Sequence, residues 1–267
     1  MGWLNLLILF LVSLVLCSVG FKKYVYFLSI GYGFAVAGVG ITLAIMAAMG
    51  ALTGSTATLA FCLLFVVYGA RLSGYLLVRE FKNAAYRKTL KEASGDESKM
   101  PMFVKVSIWL CVAVLYVAQT APVYFRMLNE SASEVLAWVG VIISICGVGL
   151  EALADRQKTE QKKARPDMVA MNGLYKFVRC PNYLGEILFW TGVFVSSLNI
   201  LSGAGQWITA ILGYICIVYI MFNGAQRLEK RQMKRYTGNA EYQAYADKTP
   251  IILPFVPLYH LNKPEGK

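Results

Sequence analysis

Histidine is almost missing from this chain: His260 is the only one among 267 residues. A single imidazole cannot build the histidine clusters that hold iron in membrane desaturases and hydroxylases, nor an H-E-x-x-H zinc site. Paired cysteines are missing too. Cys17, Cys62, Cys111, Cys146, Cys180 and Cys216 contain no C-x-x-C, and five of them lie in apolar runs. They read as small buried hydrophobes, so neither a disulfide framework nor a thiolate metal site is expected, and no metal site of any kind is predicted. Charge is scarce at 15%, and acid is scarcer than base, giving a net charge of +11. No basic stripe interleaved with aromatics lies outside the apolar runs, which argues against nucleic acid. No internal repeat is evident, unlike the duplicated halves of many transporters. The first apolar run, "WLNLLILFLVSLVLCSVG", has no basic residue before it, whereas a cleaved signal peptide needs one. It reads as a retained first span.

Long apolar runs are what the chain does have. Hydrophobic residues make up 57% of it, and several runs reach the roughly 20 residues that a helix needs to span hydrocarbon. They do not alternate as barrel strands would. The predicted fold is therefore all-α: a polytopic membrane helical bundle of about seven transmembrane helices, with spans near 3–20, 25–49, 57–78, 103–125, 134–153, 183–200 and 205–223. Lysine and arginine follow the first, third, fifth and seventh spans. The alternate connections carry one basic residue between them. By the positive-inside rule the N-terminus is outside or lumenal and the C-terminus cytoplasmic. The composition does not distinguish an endoplasmic reticulum membrane from a bacterial inner membrane. The stretch "KEASGDESKM" reads as a polar, flexible loop, and residues 1–267 read as one membrane domain.

Polar residues gather at the cytoplasmic ends of the spans. In "GLYKFVRCPNYLGEILFWTGVF", Pro181 suits a first helical turn. Asn182 and Glu186 then share a face, and Tyr183 and Glu186 are neighbours. With Arg179 they surround a helix N-terminus, which favours an anion such as a phosphate. A first-turn carboxylate is also favourable by itself. At the end of the fifth span Glu151 and Asp155 sit four residues apart, and Glu151 follows a long apolar run where a carboxylate is expensive. In the third span Arg71 interrupts the run "VVYGARLSGYLLVRE", with Tyr68 and Tyr75 at i−3 and i+4. All three face one cavity, or Arg71 snorkels to the interface. In the tail Arg227 and Arg231 recur every four residues with Arg235, a basic face for phosphates or for anionic lipid.

The pattern G-L-Y-x-x-x-R-x-P-N-Y-x-G-E, an apolar span after it, and a tail of type E-Y-x-x-Y ending in L-P resemble the steroid 5-alpha-reductase superfamily, in particular its bacterial and lower-eukaryotic branch. The resemblance covers roughly residues 65–257, with 1–64 as variable N-terminal spans and 258–267 as a tail. It implies a seven-helix bundle with an NADPH cavity open to the cytoplasm and reduction of an activated carbon–carbon double bond in a lipid-like substrate. By motif position, the family's cofactor residues fall on Glu151, Asp155, Asn182, Tyr183, Glu186, Arg227 and Arg231. Tyr68 would donate a hydrogen bond to the substrate carbonyl. The chain departs from the steroid-reducing members in one respect: its second span has no carboxylate or amide. It is also similar, more distantly, to isoprenylcysteine-type membrane methyltransferases, which usually read R-H-P-x-Y where this chain has Cys180 in the middle position.

The reading is thus an NADPH-dependent membrane reductase of a lipid, sterol or isoprenoid-like substrate. Tyr68 would be catalytic, and Arg71 and Tyr75 would contact substrate. Glu151, Asp155, Arg179, Asn182, Tyr183, Glu186, Arg227 and Arg231 would hold cofactor. The alternatives are an S-adenosylmethionine-dependent methyltransferase of a lipid-borne acceptor and a non-catalytic lipid-binding or transport protein. Expected partners are the lipid-like substrate and membrane lipids, with no obligate protein partner.

Overall fold

The structure, a computed structural model, describes residues 2–82, 84, 87, 90, 100–129 and 133–262. The regular elements are helical, with no strand among the described residues. Helices α1 to α4 run Gly2–Cys17, Ile30–Ala48, Thr56–Lys82 and Met102–Asn129; α5 to α8 run Val135–Ala164, Pro181–Val195, Gly203–Arg235 and Ala240–Ala246. Short 3-10 turns occupy Ser18–Phe21, Tyr24–Leu28 and Gly173–Lys176. The polar stretch read as a flexible loop lies, over 91–99, outside the described residues.

Six helices are long and apolar enough to cross a membrane: α1 to α5 and α7, with 3-10 turns extending the first two. By helix length and composition the chain is a multi-pass integral membrane protein of the all-α class. The span predicted over 183–200 differs from the others. Its helix, α6, has 15 residues and ends at Val195. At 1.5 Å per residue that is about 22 Å, short of the ~30 Å hydrocarbon core. Past this point the run turns polar at Ser196 and Ser197, whose hydroxyls turn back onto the carbonyls of Val193 at 2.6 Å and Phe194 at 2.8 Å, where the helix stops. Helices α5 and α7 run the other way, to 30 and 33 residues, carrying polar extensions beyond the predicted ends at 153 and 223.

The chain divides into two compact units, Met1–Val141 with Val193–Gly213, and Ile142–Gly192 with Tyr214–Lys267. In the first unit α2 and α3 meet backbone to backbone. A Cβ on Gly33 would collide with the Ser73 hydroxyl and lie 2.7 Å from the Gly69 carbonyl. Small residues allow such contact, which is how helices gain packing where lipid offers no hydrophobic drive. Helix α4 is fastened by side chains that reach backbone carbonyls of α1 and of the 3-10 turn before α2. Trp109 Nε1 donates to Leu14 O at 2.8 Å, Tyr116 to Phe27 O at 2.5 Å, and Tyr124 to Gly2 O at 2.8 Å. Arg126, the one basic residue of the alternate connections, is 4% exposed. Its guanidinium donates to Ser196 O, Asn199 Oδ1 and Ser133 O at 2.6–3.0 Å. These bonds tie the end of α4 to the segments that precede α5 and α7.

In the second unit α5 and α6 approach as closely. A Cβ on Gly147 would lie 2.5 Å from Phe189 N, and one on Gly185 would lie 2.9 Å from Glu151 N. Ser144 adds a hydrogen bond to Phe189 O at 2.9 Å. The loop after α5 folds back on its polar extension: Gln161 Oε1 accepts from Met171 N and Asn172 N, and Gln157 Oε1 from Leu174 N. The Pro-broken tail returns to the start of α6, where Arg179 N donates to Pro250 O at 2.8 Å and Cys180 N to Ile251 O at 2.9 Å. Ile251 and Ile252 are buried there.

Candidate functional site

The sequence-predicted residues fall into two groups, Tyr68, Arg71 and Tyr75 in the first unit and the other eight in the second. In the first unit Tyr68 is fully buried, and its hydroxyl donates to that of Tyr32 at 3.2 Å. The two rings meet edge to face with centroids 6.0 Å apart, and Tyr32 lies 4.9 Å from Tyr116 of α4. A buried cluster of three tyrosines therefore surrounds the predicted catalytic hydroxyl. The second span, which has no carboxylate or amide, contributes the Tyr32 phenol to this cluster. Tyr32 was visible in the sequence, but a tyrosine in an apolar helix does not announce itself as an acid does. Arg71 and Tyr75 are half-buried on the same helix, and the Tyr75 ring carries Arg79 at 6.0 Å from its centroid.

One turn from Tyr116, Gln119 is 3% exposed, and neither its Nε2 nor its Oε1 has a hydrogen-bond partner among the described residues. A buried polar atom left unmade costs about 1–3 kcal/mol. The sequence did carry this signal, as an amide inside an apolar span.

In the second unit helices α5, α6 and α7 converge on the predicted cofactor residues. Glu151 is 4% and Glu186 7% exposed. The contact of Gly185 with the Glu151 backbone places these two carboxylates on adjoining helices at one level. The Tyr183 ring lies against Gly224 of α7, with ring atoms 3.5 Å from where a Cβ would be. Arg227 and Arg231 follow Gly224 on the same helix, one and two turns further along it. Asn182 and Asp155 are half-buried, and Arg227 and Arg231 are exposed one turn apart. Two buried carboxylates, an amide, a phenol and two solvent-facing guanidinium groups thus share one locality. Such a set can accept hydrogen bonds from ribose hydroxyls or an amide while pairing with phosphates.

Arg179 has a different setting. It is 5% exposed, and its Nη2 donates to Glu229 Oε1 at 2.6 Å and to the Tyr259 carbonyl. Glu229, 1% exposed, is the hub of the tail. It accepts from Leu261 N at 2.8 Å and from Asn262 N and Nδ2, both at 2.9 Å. His260 bridges Glu229 at 3.1 Å and Asp247 at 2.9 Å. Both contacts are donated together only when the ring carries two protons. Sequence reading saw only the basic face of "RLEKRQMKR" and passed over its one acid. Next to Arg179, burial pushes the Cys180 thiol up to about 12, which makes it inert. Burial also pushes up the phenols of Tyr242, to about 12, and of Tyr245.

No solved structure matches the chain. Among curated proteins it is similar to the uncharacterized protein C594.04c of Schizosaccharomyces pombe (strain 972 / ATCC 24843), at 27% identity over 50% of this chain. The chain spans 44% of that relative's length. A family model described as "Protein of unknown function (DUF1295)" matches residues 32–249. That match takes in the tyrosine cluster, both carboxylates of α5 and α6 and the Arg179–Glu229 pair, and it covers most of the chain: the protein belongs to the DUF1295 family.

Proposed function

We propose that the protein is a membrane-embedded, NADPH-dependent reductase of an activated carbon–carbon double bond in a lipid, sterol or isoprenoid-like substrate. The observation that carries this reading is the convergence in the second unit: buried Glu151 and Glu186 on packed helices α5 and α6, the Tyr183 ring against Gly224 of α7, and exposed Arg227 and Arg231 further along α7. That donor set fits a phosphorylated dinucleotide. Arg227 and Arg231 would hold phosphate, and Glu151, Asp155, Asn182, Tyr183 and Glu186 would hold ribose and amide groups. Bound there, the nicotinamide supplies hydride. The part of the chain's own residues is binding and proton control. Tyr68 keeps a proton on a buried hydroxyl, which donates a hydrogen bond to Tyr32. A substrate carbonyl would replace Tyr32 as that acceptor and be polarised by the bond. Arg179 would act on the cofactor residues indirectly, by anchoring the tail through Glu229. The charge asymmetry supports an N-terminus outside or lumenal and a cytoplasmic C-terminus, on the side from which an anionic cofactor arrives.

The test is thermal stabilisation of protein purified in mild detergent. NADPH should stabilise it according to RT ln(1 + [L]/Kd), about 2.7 kcal/mol at a hundredfold excess over Kd, and the gain should disappear in Asn182→Ala/Glu186→Gln. Stabilisation by S-adenosylmethionine in place of NADPH would overturn the reading for a methyltransferase. No response to either would overturn it for a lipid-binding protein.

A further inference from the structure

The first unit contains an unmet hydrogen-bonding demand that the reductase reading does not use. Gln119 lies inside the apolar helix α4 and is 3% exposed, yet both ends of its amide lack partners among the described residues. Its surroundings are built. Gly213 packs so closely that an added Cβ would lie 2.6 Å from Ala118 O and 2.9 Å from Gln119 N. The backbone there is held in place. Pro122, inside the same helix, provides no N–H for the Ala118 carbonyl. The neighbouring hydroxyl, Thr120, is spent on Tyr116 O at 2.8 Å. One turn back along the same face stands Tyr116, whose ring contacts Tyr32 of the tyrosine cluster.

A carboxamide offers a donor and an acceptor side by side. A hydroxyl is the smallest ligand group that satisfies both at once: it accepts from Nε2 and donates to Oε1. A carbonyl or an ether can only accept and leaves Oε1 unmet. We infer that Gln119 is the specificity residue for a hydroxyl group on an otherwise apolar ligand bound in the first unit, so that the substrate is a lipid alcohol rather than a plain ketone or hydrocarbon. The inference rests on the reductase reading only in calling that ligand the substrate. A site built to hydrogen-bond a hydroxyl rejects the analogue that lacks it far more strongly than an apolar pocket rejects a missing methylene, because its own polar groups are then stranded.

The experiment uses the full chain in lipid nanodiscs and three probes of matched length: 1-dodecanol, 1-methoxydodecane and dodecane. Affinities are read from ligand-induced shifts in melting temperature. The wild type should bind the alcohol at least about tenfold more tightly than the ether, the effect of one missing hydrogen bond to a buried amide. Gln119→Met keeps the shape and removes the amide; it should bind all three alike and melt no lower than the wild type. A dodecanol carrying a diazirine near its hydroxyl should label the tryptic peptide 106–126 of the wild type, and its methyl ether should not. Equal binding of alcohol and ether by the wild type, as a resident water in the site would produce, overturns the inference. So does a Gln119→Met protein that melts well below the wild type or does not fold, and so does labelling confined to other peptides. None of these readouts involves NADPH. Failure of NADPH to stabilise the protein would remove the reductase reading and leave the alcohol-over-ether ranking intact, while loss of the ranking would leave the reductase reading intact.

Discussion

Removing the Glu229 carboxylate tests a buried ion pair on which the tail is anchored in the second unit. Glu229→Leu leaves the Arg179 guanidinium with its charge buried, at 3% side-chain exposure, and without its counter-ion at 2.6 Å. Breaking a buried pair from one side costs about 3–5 kcal/mol, most of it the stranded charge. The backbone N–H groups of Leu261 and Asn262 also lose their acceptor, but they are partly exposed and regain water at little cost. For a chain of this size each kcal/mol moves the melting temperature by roughly 2–4 °C, so the single substitution should lower it by roughly 6–20 °C. Arg179→Met should be about as damaging, because Glu229 is then the stranded charge. The double substitution Arg179→Met/Glu229→Leu should be milder than either single one, since no charge is left buried. Melting is followed in detergent with a thiol-reactive dye. Cys180 is buried beside the pair, so in a background where the other five cysteines are replaced its exposure reports loss of the tail. A Glu229→Leu protein melting within about 2 °C of the wild type would refute the hub. Strictly additive single and double effects would refute the coupling, because contacting charges must show an interaction energy.

Gly185→Val forces a side chain to within about 3 Å of the Glu151 backbone; overpacking of that kind costs about 1–3 kcal/mol and should abolish NADPH-induced stabilisation in a thermal assay even where the protein still folds. Tyr68→Phe removes one hydrogen bond to Tyr32; stability should fall by about 1 kcal/mol or less, while turnover of an enone with NADPH should fall on the order of a hundredfold. Cys180, with its thiol pushed up to about 12, should resist iodoacetamide at pH 8 in the folded protein and react once unfolded, as peptide mass spectrometry would read. Arg165 holds the Glu241 carboxylate below its ordinary range by direct hydrogen bonds at 2.8 and 2.9 Å. A depressed carboxylate contributes stability above its unfolded value, and that contribution is lost as pH falls through the folded one. The difference in melting temperature between wild type and Glu241→Gln should therefore be small and favour the wild type at pH 7, and should shrink as pH falls below the ordinary carboxylate range.

The class of fold was legible in the sequence because hydrophobic run length is a local, additive property. A stretch such as 57–78 must cross or bury whatever surrounds it, and charge on alternate connections needs no tertiary contact to count. The motif around Asn182, Tyr183 and Glu186 was legible for the same reason, since i, i+3 and i+4 spacing sets a shared helix face as soon as Pro181 starts the helix. Contacts between distant segments decided the rest. Only the folded chain stops α6 at Val195, sets the Tyr32 phenol against Tyr68, and commits Arg179 to Glu229 fifty residues away. Only the fold leaves Gln119 buried with both ends of its amide unmet. A residue's type states which hydrogen bonds it can make; which of them are already taken depends on neighbours that the chain brings from elsewhere.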